Sequence, residues 1–464
     1  MKRKKIVVMG FAAGCPIAGV VWQHIHYIVG MLRLGHEVYY IEDSARLPYN
    51  PVTYEVTNDY SYAAGILDKL GREYGFEGHW SYCARYLPET PCAGMPLSRV
   101  RELYREADAI LNVCGSQEFN EDLLKSDRIL YVESDPGVEQ IKVDKGETST
   151  TEYLKQHRAL FTFGENIGSE EFPVPLNGFQ WLPTRQPVVT DLWHADTAPK
   201  EGAVFTSVAN WNTSGKKDIE WRGEKYLWSK SLEFLKFIEA PKVAGEEFEL
   251  ATTIKEEAVQ QQFANNGWRF TPPDQMSIDY DEYREYLRGS KGEFTVAKDQ
   301  YVRLKTGWFS DRTACYLASG RPAITQETGF TRHYGQQKGL FAFQTLEEIA
   351  EAVREINLDY RAHCRAAYEV AKDQYVRLNT GWFSDRTACY LASGRPAITQ
   401  ETGFTRLYGQ QKGLFAFRTL AEIGEAVREI NGDYAGNCAA AYEVAREYFE
   451  AEKVLGVLLE NAGV

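Results

Sequence analysis

The sequence predicts an α/β protein with two Rossmann-like domains that face a cleft, followed by a duplicated α-β-β-α segment. Short apolar strands alternate with helical patterns from the amino terminus, and the same alternation restarts after a proline-containing break. A long internal repeat near the carboxyl terminus accounts for the third part. Strands that alternate with helices are typical of doubly wound parallel sheets.

The first predicted domain covers residues 1–187 and opens with a βαβ unit. Residues 5–11 (KIVVMGF) predict a strand, Val20–Leu34 an amphipathic helix, and residues 36–43 (HEVYYIED) the next strand. Segments compatible with helices separate three further predicted strands, which cover residues 109–115, 128–135 and 159–165. This order favours a parallel sheet.

Prolines and polar residues predict a linker over residues 188–202, and the second domain follows over residues 203–370. Its predicted strands begin with 203–211, 248–254 and 292–298, and a helix is predicted over Tyr226–Ala240. The remainder contains a helix through Cys315, the strands RPAITQ and GLFAF, and a helix with the apolar spacing of TLEEIAEAVREI.

Residues 297–370 recur at 371–444, and 64 of the 74 positions are identical. Solenoid repeats are usually shorter, more numerous and more divergent, so the pattern indicates a recent tandem duplication of part of a domain. We call residues 297–370 copy one and residues 371–444 copy two. The predicted last part of the chain, 371–464, consists of copy two and a terminal helix.

Composition excludes several classes of protein. The chain has 464 residues, 44% of them hydrophobic, and a formal net charge of −13, which disfavours nucleic acid as a partner. The first apolar run is too short for a signal peptide or a membrane span, so we expect a soluble cytoplasmic protein. Eight cysteines without a CxxC pair or a His/Cys cluster argue against a disulfide framework or zinc site and favour reduced thiols.

Cys15 and Cys114 lie in predicted loops and are candidate nucleophiles. The more common role of such cysteines is that of a small buried residue.

Ligands of open parallel sheets bind at the carboxyl ends of the strands. The loop from Gly10 to Gly19, which includes Gly14, is rich in small residues and leads into a helix, so a ligand could approach its backbone closely. The loop lacks the GxGxxG pattern of dinucleotide sites. A structural strand-to-helix turn is an equally good interpretation.

The segment TGWFSDRTACYLASGRPAITQETGF (306–330) is the most informative candidate site. Free amides and a hydroxyl at the start of a helix could bind a phosphate, with neighbouring cations as counter-charges. Polar side chains after the next strand could bind sugar or ribose hydroxyls. The predicted donor-binding residues of this segment are Lys305, Gly307, Ser310, Asp311, Arg312, Gln326, Glu327 and Thr328.

The GWFS start and the ASGRP element resemble the donor-binding box of nucleotide-sugar glycosyltransferases with the two-domain GT-B fold. GHEVYYIED resembles their amino-terminal half, and SDPG, FTFGENIG, WLPTRQP and GWFSDR are similar to CgeB-like, group-one-like bacterial enzymes. One departure is Cys315, which stands where many family members have a ribose-binding Glu; Asp311, one turn earlier, could replace it. The resemblance implies a nucleoside diphosphate sugar as donor, an unknown acceptor, and no metal or other cofactor.

The family resemblance also implies a catalytic base from the first domain, unless the reaction is retaining. The candidates are His24 and His26 on the first helix and Asp135 at a strand end, because each could remove a proton from a sugar hydroxyl. Glu165 and Asn166 occupy a similar strand end. Structural roles as core, turn or cap residues are plausible for all five.

Polar residues near the start of the second domain could also reach the donor. Asn210 follows its first strand and is a candidate for the diphosphate, together with Arg222 or Lys225. Arg185, near the linker, could also bind the diphosphate, or it could form a salt bridge with an acidic side chain. Solvated surface charge is the more common role of such cations.

Copy one is the predicted donor-binding copy, because it directly follows the strand GEFTVAK and keeps Lys305 where copy two has Asn379. Copy two would then extend the edge of the second sheet or mediate self-association. Two alternatives to a glycosyltransferase are a nucleotide-sugar epimerase on the same fold and a non-catalytic nucleotide-sugar-binding or assembly protein. The duplication favours the second alternative, because two copies cannot occupy one place in one sheet.

Overall fold

The computed structural model describes the backbone of the chain except residues 1–2, 196–198, 200, 213–217, 253, 377–384, 402–403 and 451–464. For residues 274–275, 373–376, 385–386 and 406–407 it describes the backbone alone. The chain divides into two compact units, Met1–Ala371 and Lys372–Val464.

The first domain of the larger unit is built on an eight-stranded sheet with the order β10-β9-β8-β7-β1-β2-β5-β6. All neighbouring strands are parallel except β5 and β6, and β3 and β4 form a separate antiparallel pair. The strands are β1 (Lys5–Met9), β2 (Glu37–Ser44), β3 (Tyr49–Asn50), β4 (Glu55–Val56), β5 (Trp80–Ala84), β6 (Cys92–Gly94), β7 (Ala109–Val113), β8 (Ile129–Glu133), β9 (Ala159–Thr162) and β10 (Trp181–Pro183).

Helices connect these parallel strands. They are α1 (Ala18–Arg33), α2 (Ser61–Tyr74), α3 (Leu97–Glu106), α4 (Val138–Asp144) and α5 (Thr148–Lys155). The central strand β1 is apolar and almost wholly buried, as expected for a parallel strand covered on both faces.

The second domain contains a six-stranded, fully parallel sheet with the order β15-β14-β11-β16-β17-β18. This is the 3-2-1-4-5-6 order of a Rossmann sheet. The strands of the domain, including the β12-β13 hairpin, are β11 (Phe205–Val208), β12 (Ile219–Trp221), β13 (Glu224–Tyr226), β14 (Phe248–Ala251), β15 (Trp268–Thr271), β16 (Gly292–Thr295), β17 (Ala323–Gln326) and β18 (Leu340–Phe343).

The described residues of this part of the chain form ten α-helices, the last of which runs into copy two. They are α6 (Ser231–Lys236), α7 (Ala240–Ala244), α8 (Glu257–Ala264), α9 (Asp274–Ile278), α10 (Tyr280–Gly289), α11 (Asp299–Arg303), α12 (Asp311–Ala318), α13 (Thr331–Tyr334), α14 (Leu346–Leu358) and α15 (Tyr360–Val376).

The two parallel sheets confirm the predicted fold class. The expected helix over Tyr226–Ala240 is wrong in its extent, because Tyr226 ends a strand and the helical region divides into α6 and α7, with Pro241 in the first turn of α7. A proline has no backbone N–H and fits a first turn better than a helix interior.

One large hydrophobic cluster contains residues of both domains. Trp22 on α1 packs against Trp193 and Tyr280, and its indole Nε1 donates to the Tyr280 carbonyl oxygen at 2.7 Å. The helices α1 and α10 are therefore in direct contact across the domain boundary.

The smaller unit contains the elements of copy two. They are α16 (Asp385–Ala392), β19 (Ala397–Gln400), α17 (Thr405–Tyr408), β20 (Leu414–Phe417), α18 (Leu420–Gly432) and α19 (Tyr434–Tyr448). The strands β19 and β20 pair with each other in a two-stranded parallel sheet. The roles expected for copy two, at the edge of the second sheet or in self-association, stay predictions. Most of the predicted terminal helix, from residue 451 onward, and Asn379 lie outside the described residues.

Cys83 and Cys92 are cross-strand partners on β5 and β6 and form a disulfide. The expectation of reduced thiols is therefore wrong for this pair, which β-strand pairing brings together although the two cysteines are nine positions apart in the sequence. In the described part of the chain, no helix is long and apolar enough to cross a membrane.

Candidate functional site

The carboxyl ends of β8 and β16 meet where the two domains face each other. Asp135, two residues after β8, accepts hydrogen bonds from the ammonium group of Lys298 and the hydroxyl of Tyr301. Trp308 donates from its indole Nε1 to the Ser134 carbonyl oxygen at 3.0 Å. Loops at the strand ends of both domains thus form one site.

Three cations of the second domain lie at this site. Lys298 follows β16, Arg312 lies in the first turn of α12, and Lys230 directly precedes α6. Arg312 Nε donates to Glu293 Oε1 at 3.1 Å, and Lys298 pairs with Asp135. Among the described residues, no carboxylate oxygen lies within 4.0 Å of Lys230 Nζ.

The pKa values of the cluster reflect the burial of its charged groups and the repulsion among its cations. Burial, then the positive charges of Arg312 and Lys298, lower the pKa of Lys230 to about 7, although Glu293 and Asp311 act in the opposite direction. Burial raises the pKa of Asp311 despite the nearby Arg312. The cluster therefore holds charges that are poorly solvated, and an added anion would relieve the repulsion among its cations.

Aromatic rings line the cation cluster. Lys298 Nζ lies 3.6 Å from the ring centroid of Trp228. The rings of Tyr301 and Trp308 are 4.6 Å apart between centroids, and Lys230 Nζ lies 5.8 Å from the Trp308 ring. These faces could stack on a sugar or base ring.

A small pocket between the domains adjoins these residues. First-domain residues contribute Gly19 and Gln23, and second-domain residues contribute Asp311, Arg312 and Cys315. A Cβ at Gly19 would lie 3.6 Å from the Tyr283 hydroxyl, so the start of α1 faces the second domain closely. The structure therefore brings together Gly19, Asp135, Asp311 and Arg312 of the predicted site.

The backbone of the Gly10–Gly19 loop already binds a carboxylate. The amides of Ala13 and Gly14 donate to Glu42 Oε1 and Oε2 at 2.6 and 2.7 Å. Burial raises the pKa of Glu42 to about 7 against the effect of these hydrogen bonds. These two amides are thus occupied by a side chain of β2, which supports the structural-turn interpretation for this part of the loop.

The histidines of α1 lie in the core. His24 is 1% exposed, its Nδ1 lies 2.8 Å from the Val20 carbonyl oxygen, and its Nε2 has no partner among the described residues. Burial lowers the pKa of His24 to about 4 and that of His26 to about 3. Both rings are therefore neutral at pH 7. Asp135 differs, because its side chain is 43% exposed.

Several residues of the 306–330 segment bind one another or neighbouring side chains. The Gly307 amide donates to the Thr328 carbonyl oxygen at 2.8 Å. Buried Gln326 donates from Nε2 to Glu233 Oε2 at 2.8 Å and accepts from the Ala297 amide at 3.0 Å.

The polar residues after β17 and before α12 also have partners within the protein. Glu327 accepts from the Gly329 amide, and the Thr328 hydroxyl donates to the Trp308 carbonyl oxygen. Ser310 is buried at the start of α12 and accepts at its carbonyl oxygen from Gln186 Nε2 at 3.2 Å.

The remaining predicted cations lie apart from the cluster's hydrogen bonds. Lys305 is exposed, and its carbonyl oxygen accepts from Asn166 Nδ2 at 2.9 Å. Lys225 pairs with Asp218 at 2.8 Å, Arg222 lies over the Trp221 ring, and Arg185 pairs with Glu165 at 2.9 Å. Asn210 is exposed directly after β11.

The candidate nucleophiles have thiols that resist ionisation. Burial raises the pKa of Cys15 to about 11 and that of Cys114 to about 12. Cys114 Sγ lies 3.2 Å from both Gln23 Oε1 and the Ser134 hydroxyl. Neutral thiols are poor nucleophiles, so the geometry favours a structural role for both.

Lys230, Lys298, Glu293, Tyr301 and Glu42 are the site residues that sequence reasoning missed. Lys298 was detectable as the residue that ends the strand pattern GEFTVAK, and Glu42 as a carboxylate within an apolar strand. Lys230 gave no such signal, because it follows a hairpin whose distance from the strand ends is set by the fold. No group of three or more His, Cys, Asp or Glu residues suited to a metal ion occurs in the part of the chain that the structure describes.

No protein-family model and no curated protein matches the chain. Among solved structures, it is similar to an alpha-glucosyltransferase in complex with UDP and a 13-mer DNA, at 12% identity and a TM-score of 0.45, covering 80% of this chain and 95% of that one. A sucrose-phosphate synthase from Thermosynechococcus elongatus matches at 12% identity and a TM-score of 0.42, covering 80% and 94%. A glycosyltransferase from Rickettsia africae matches at 11% and 0.44, covering 81% and 94%. The fold assignment rests on the strand orders of the chain itself.

Proposed function

We propose that this chain is a glycosyltransferase that moves a sugar from a nucleoside diphosphate sugar to an acceptor. The observation that carries the proposal is the convergence of Lys230, Lys298 and Arg312 at the strand ends of the second domain, opposite Asp135 of the first. Crevices at the strand ends of Rossmann sheets are the usual ligand sites of such folds.

The diphosphate is the part of the donor that the cations suit. A diphosphate ester carries two negative charges, and charge-assisted hydrogen bonds from ammonium and guanidinium groups are about twice as strong as neutral ones. Lys230 would gain its first close counter-ion, and Arg312 would add the anion to its contact with Glu293. The leaving diphosphate would be stabilised by the same cations during transfer.

The nucleoside and sugar would occupy the surface around this cluster. Glu327, only half-buried, remains the proposed ribose contact at the end of β17, and Asp311 is the proposed substitute for the Glu replaced by Cys315. Trp228 and Trp308 are the proposed stacking faces. The predicted contributions of Lys305, Gly307, Ser310, Gln326, Thr328 and Asn210 stay part of this proposal.

We assign proton acceptance to Asp135 rather than His24, since the Asp135 side chain is half-exposed at the site and His24 is enclosed in the core. In this reaction the acceptor hydroxyl gives its proton to the Asp135 carboxylate. The acceptor oxygen bonds to the anomeric carbon, and the bond between that carbon and the diphosphate oxygen breaks. The electron pair of that bond leaves with the diphosphate.

Calorimetric titration with UDP-, GDP-, ADP- and dTDP-sugars tests the donor class. Saturable binding of at least one is expected, and no binding to any would contradict the proposal. Incubation of the bound donor without acceptor then separates two activities. An isomerised donor would indicate an epimerase, whereas transfer to an added acceptor or slow hydrolysis would support a transferase.

A further inference from the structure

The contact between Asp135 and Lys298 joins the two domains through a cation of the proposed donor site. Asp135 belongs to the loop after β8, and Lys298 and Tyr301 belong to the segment after β16. The Lys298 side chain is 16% exposed, so the ion pair is partly shielded from water. Partial burial strengthens a pair of opposite charges compared with a surface pair.

The two carboxylates that pair with cations of the cluster belong to different domains. Glu293, the partner of Arg312, lies on β16 of the same domain. Asp135 comes from the opposite domain, and its negative charge also contributes to the raised pKa of Asp311. A phosphate that binds Lys298 would therefore meet repulsion from Asp135, which belongs to the opposite domain.

We infer that Asp135 is an internal counter-ion that occupies Lys298 in the donor-free protein and is displaced by the donor diphosphate. The inference rests on the proposed function. Displacement would release the Asp135 carboxylate from Lys298 while the donor is in place. The base assigned above would thus become available only after the donor has bound.

The variant Asp135→Asn tests the inference because it removes the charge and keeps the shape. Titration with UDP and with inorganic pyrophosphate should give binding about threefold to tenfold tighter than in the wild type, in line with the coupling of partly exposed ion pairs. Asp135→Ser should give the same direction and serves as a second variant. Lys298→Ala should weaken binding in either background.

His333→Leu is the matched control. His333 Nε2 lies 2.7 Å from Asn166 Oδ1 in a second contact between the domains, and Leu is the residue that copy two carries at this position. The control should leave the affinity for UDP unchanged. Equal tightening in His333→Leu and Asp135→Asn would overturn the inference, because loosened domains rather than charge would then explain the effect.

The outcomes separate the inference from the proposed function. Binding to the wild type with no tightening in Asp135→Asn and Asp135→Ser would overturn the inference alone. No binding of pyrophosphate or of any of UDP, GDP, ADP and dTDP to any of these proteins would overturn both.

Discussion

Lys230 is a lysine with a lowered pKa beside two other cations, and this makes donor binding dependent on pH. Its pKa of about 7 in the free protein must rise when an anion binds next to it. Below pH 7 the ammonium is already charged, whereas above pH 7 binding must take up a proton. The affinity for UDP-glucose, whose phosphates do not titrate in this range, should therefore fall by up to about tenfold per pH unit between pH 7 and 8.5.

Lys230→Met is the control for this pH dependence. Met retains much of the side-chain length without the charge, so its binding of UDP-glucose should be weaker at pH 6.5 and nearly independent of pH up to 8.5. Isothermal titration at four pH values measures both proteins. Parallel pH profiles for wild type and variant would contradict the role of Lys230.

His24 has a packing role that can be measured without a substrate. A Cβ added at Gly10 would lie 2.1 Å from the imidazole ring, and Phe11 and Tyr40 pack against the same ring. His24→Ala should lower the free energy of unfolding by about 2–4 kcal/mol, as for other large-to-small changes in a core. Urea unfolding followed by circular dichroism provides the measurement.

The double variant Gly10→Ala with His24→Ala makes this prediction specific. Gly10→Ala alone should destabilise the protein because the ring blocks the new methyl group, and His24→Ala removes this nearer obstacle, which leaves the Tyr40 hydroxyl at 2.8 Å. The two changes should therefore cost less together than the sum of their separate costs. Additive costs would show that the two residues do not share this space.

Among the elements, the central strands were predictable and the peripheral ones were not. β1 is an apolar run, β2 contains the apolar stretch VYYI, and β16 begins the segment GEFTVAK with its aromatic and β-branched residues, so the sequence pattern alone predicts all three. β5 (WSYCA) and β15 (WRFT) mix polar residues into short strands, and only pairing with their neighbours makes them strands. The predicted helix over Tyr226–Ala240 failed for a similar reason, because the β12-β13 hairpin takes its first residue.

Two glycine substitutions test how closely the loop before α12 approaches the first domain. Gly307 has φ +74°, and a Cβ there would lie 2.8 Å from the Asn166 amide nitrogen. Gly245 has φ +69° and ψ 26°, in the left-handed helical region, with nothing within 4 Å of such an atom. Gly245→Ala should cost about 1 kcal/mol from the left-handed backbone alone, and Gly307→Ala about 1–3 kcal/mol more from the clash.

Thermal unfolding of the two variants measures this difference. Gly307→Ala should also weaken UDP binding. The loop must move to relieve the clash with Asn166, and this movement would displace Trp308 and the start of α12. Equal melting temperatures for the two variants would contradict the close approach of the two domains at Gly307.

For the whole molecule, the described residues show one internal contact at equivalent positions of the two copies, and one difference between the copies falls where copy one meets the first domain. The Gly339 amide donates to His363 Nδ1 at 3.2 Å in copy one, and the Gly413 amide donates to Asn437 Oδ1 at 3.0 Å in copy two. The change from His to Asn thus keeps the acceptor. His333 contacts Asn166 of the first domain, and Leu407 has no polar group for that contact.

The candidate donor site, which combines residues of both domains, was only partly predictable from sequence. Asp135, Asp311 and Arg312 follow from strand ends and from the start of a helix, which are local features. Lys230 and Lys298 reach Arg312 because three separate segments converge in the folded second domain. No spacing along the chain encodes that convergence.

The central claim is that copy one holds a nucleoside diphosphate through Arg312 at this convergence, and the duplication supplies a matched control in Arg386 of copy two. The most direct measurement is calorimetric titration of UDP into the wild type, Arg312→Ala and Arg386→Ala. Loss of a charge-assisted contact should weaken binding to Arg312→Ala by about tenfold to a hundredfold, and Arg386→Ala should bind like the wild type. Weaker binding to Arg386→Ala with unchanged binding to Arg312→Ala, or no binding of UDP, GDP, ADP or dTDP to the wild type, would contradict the account.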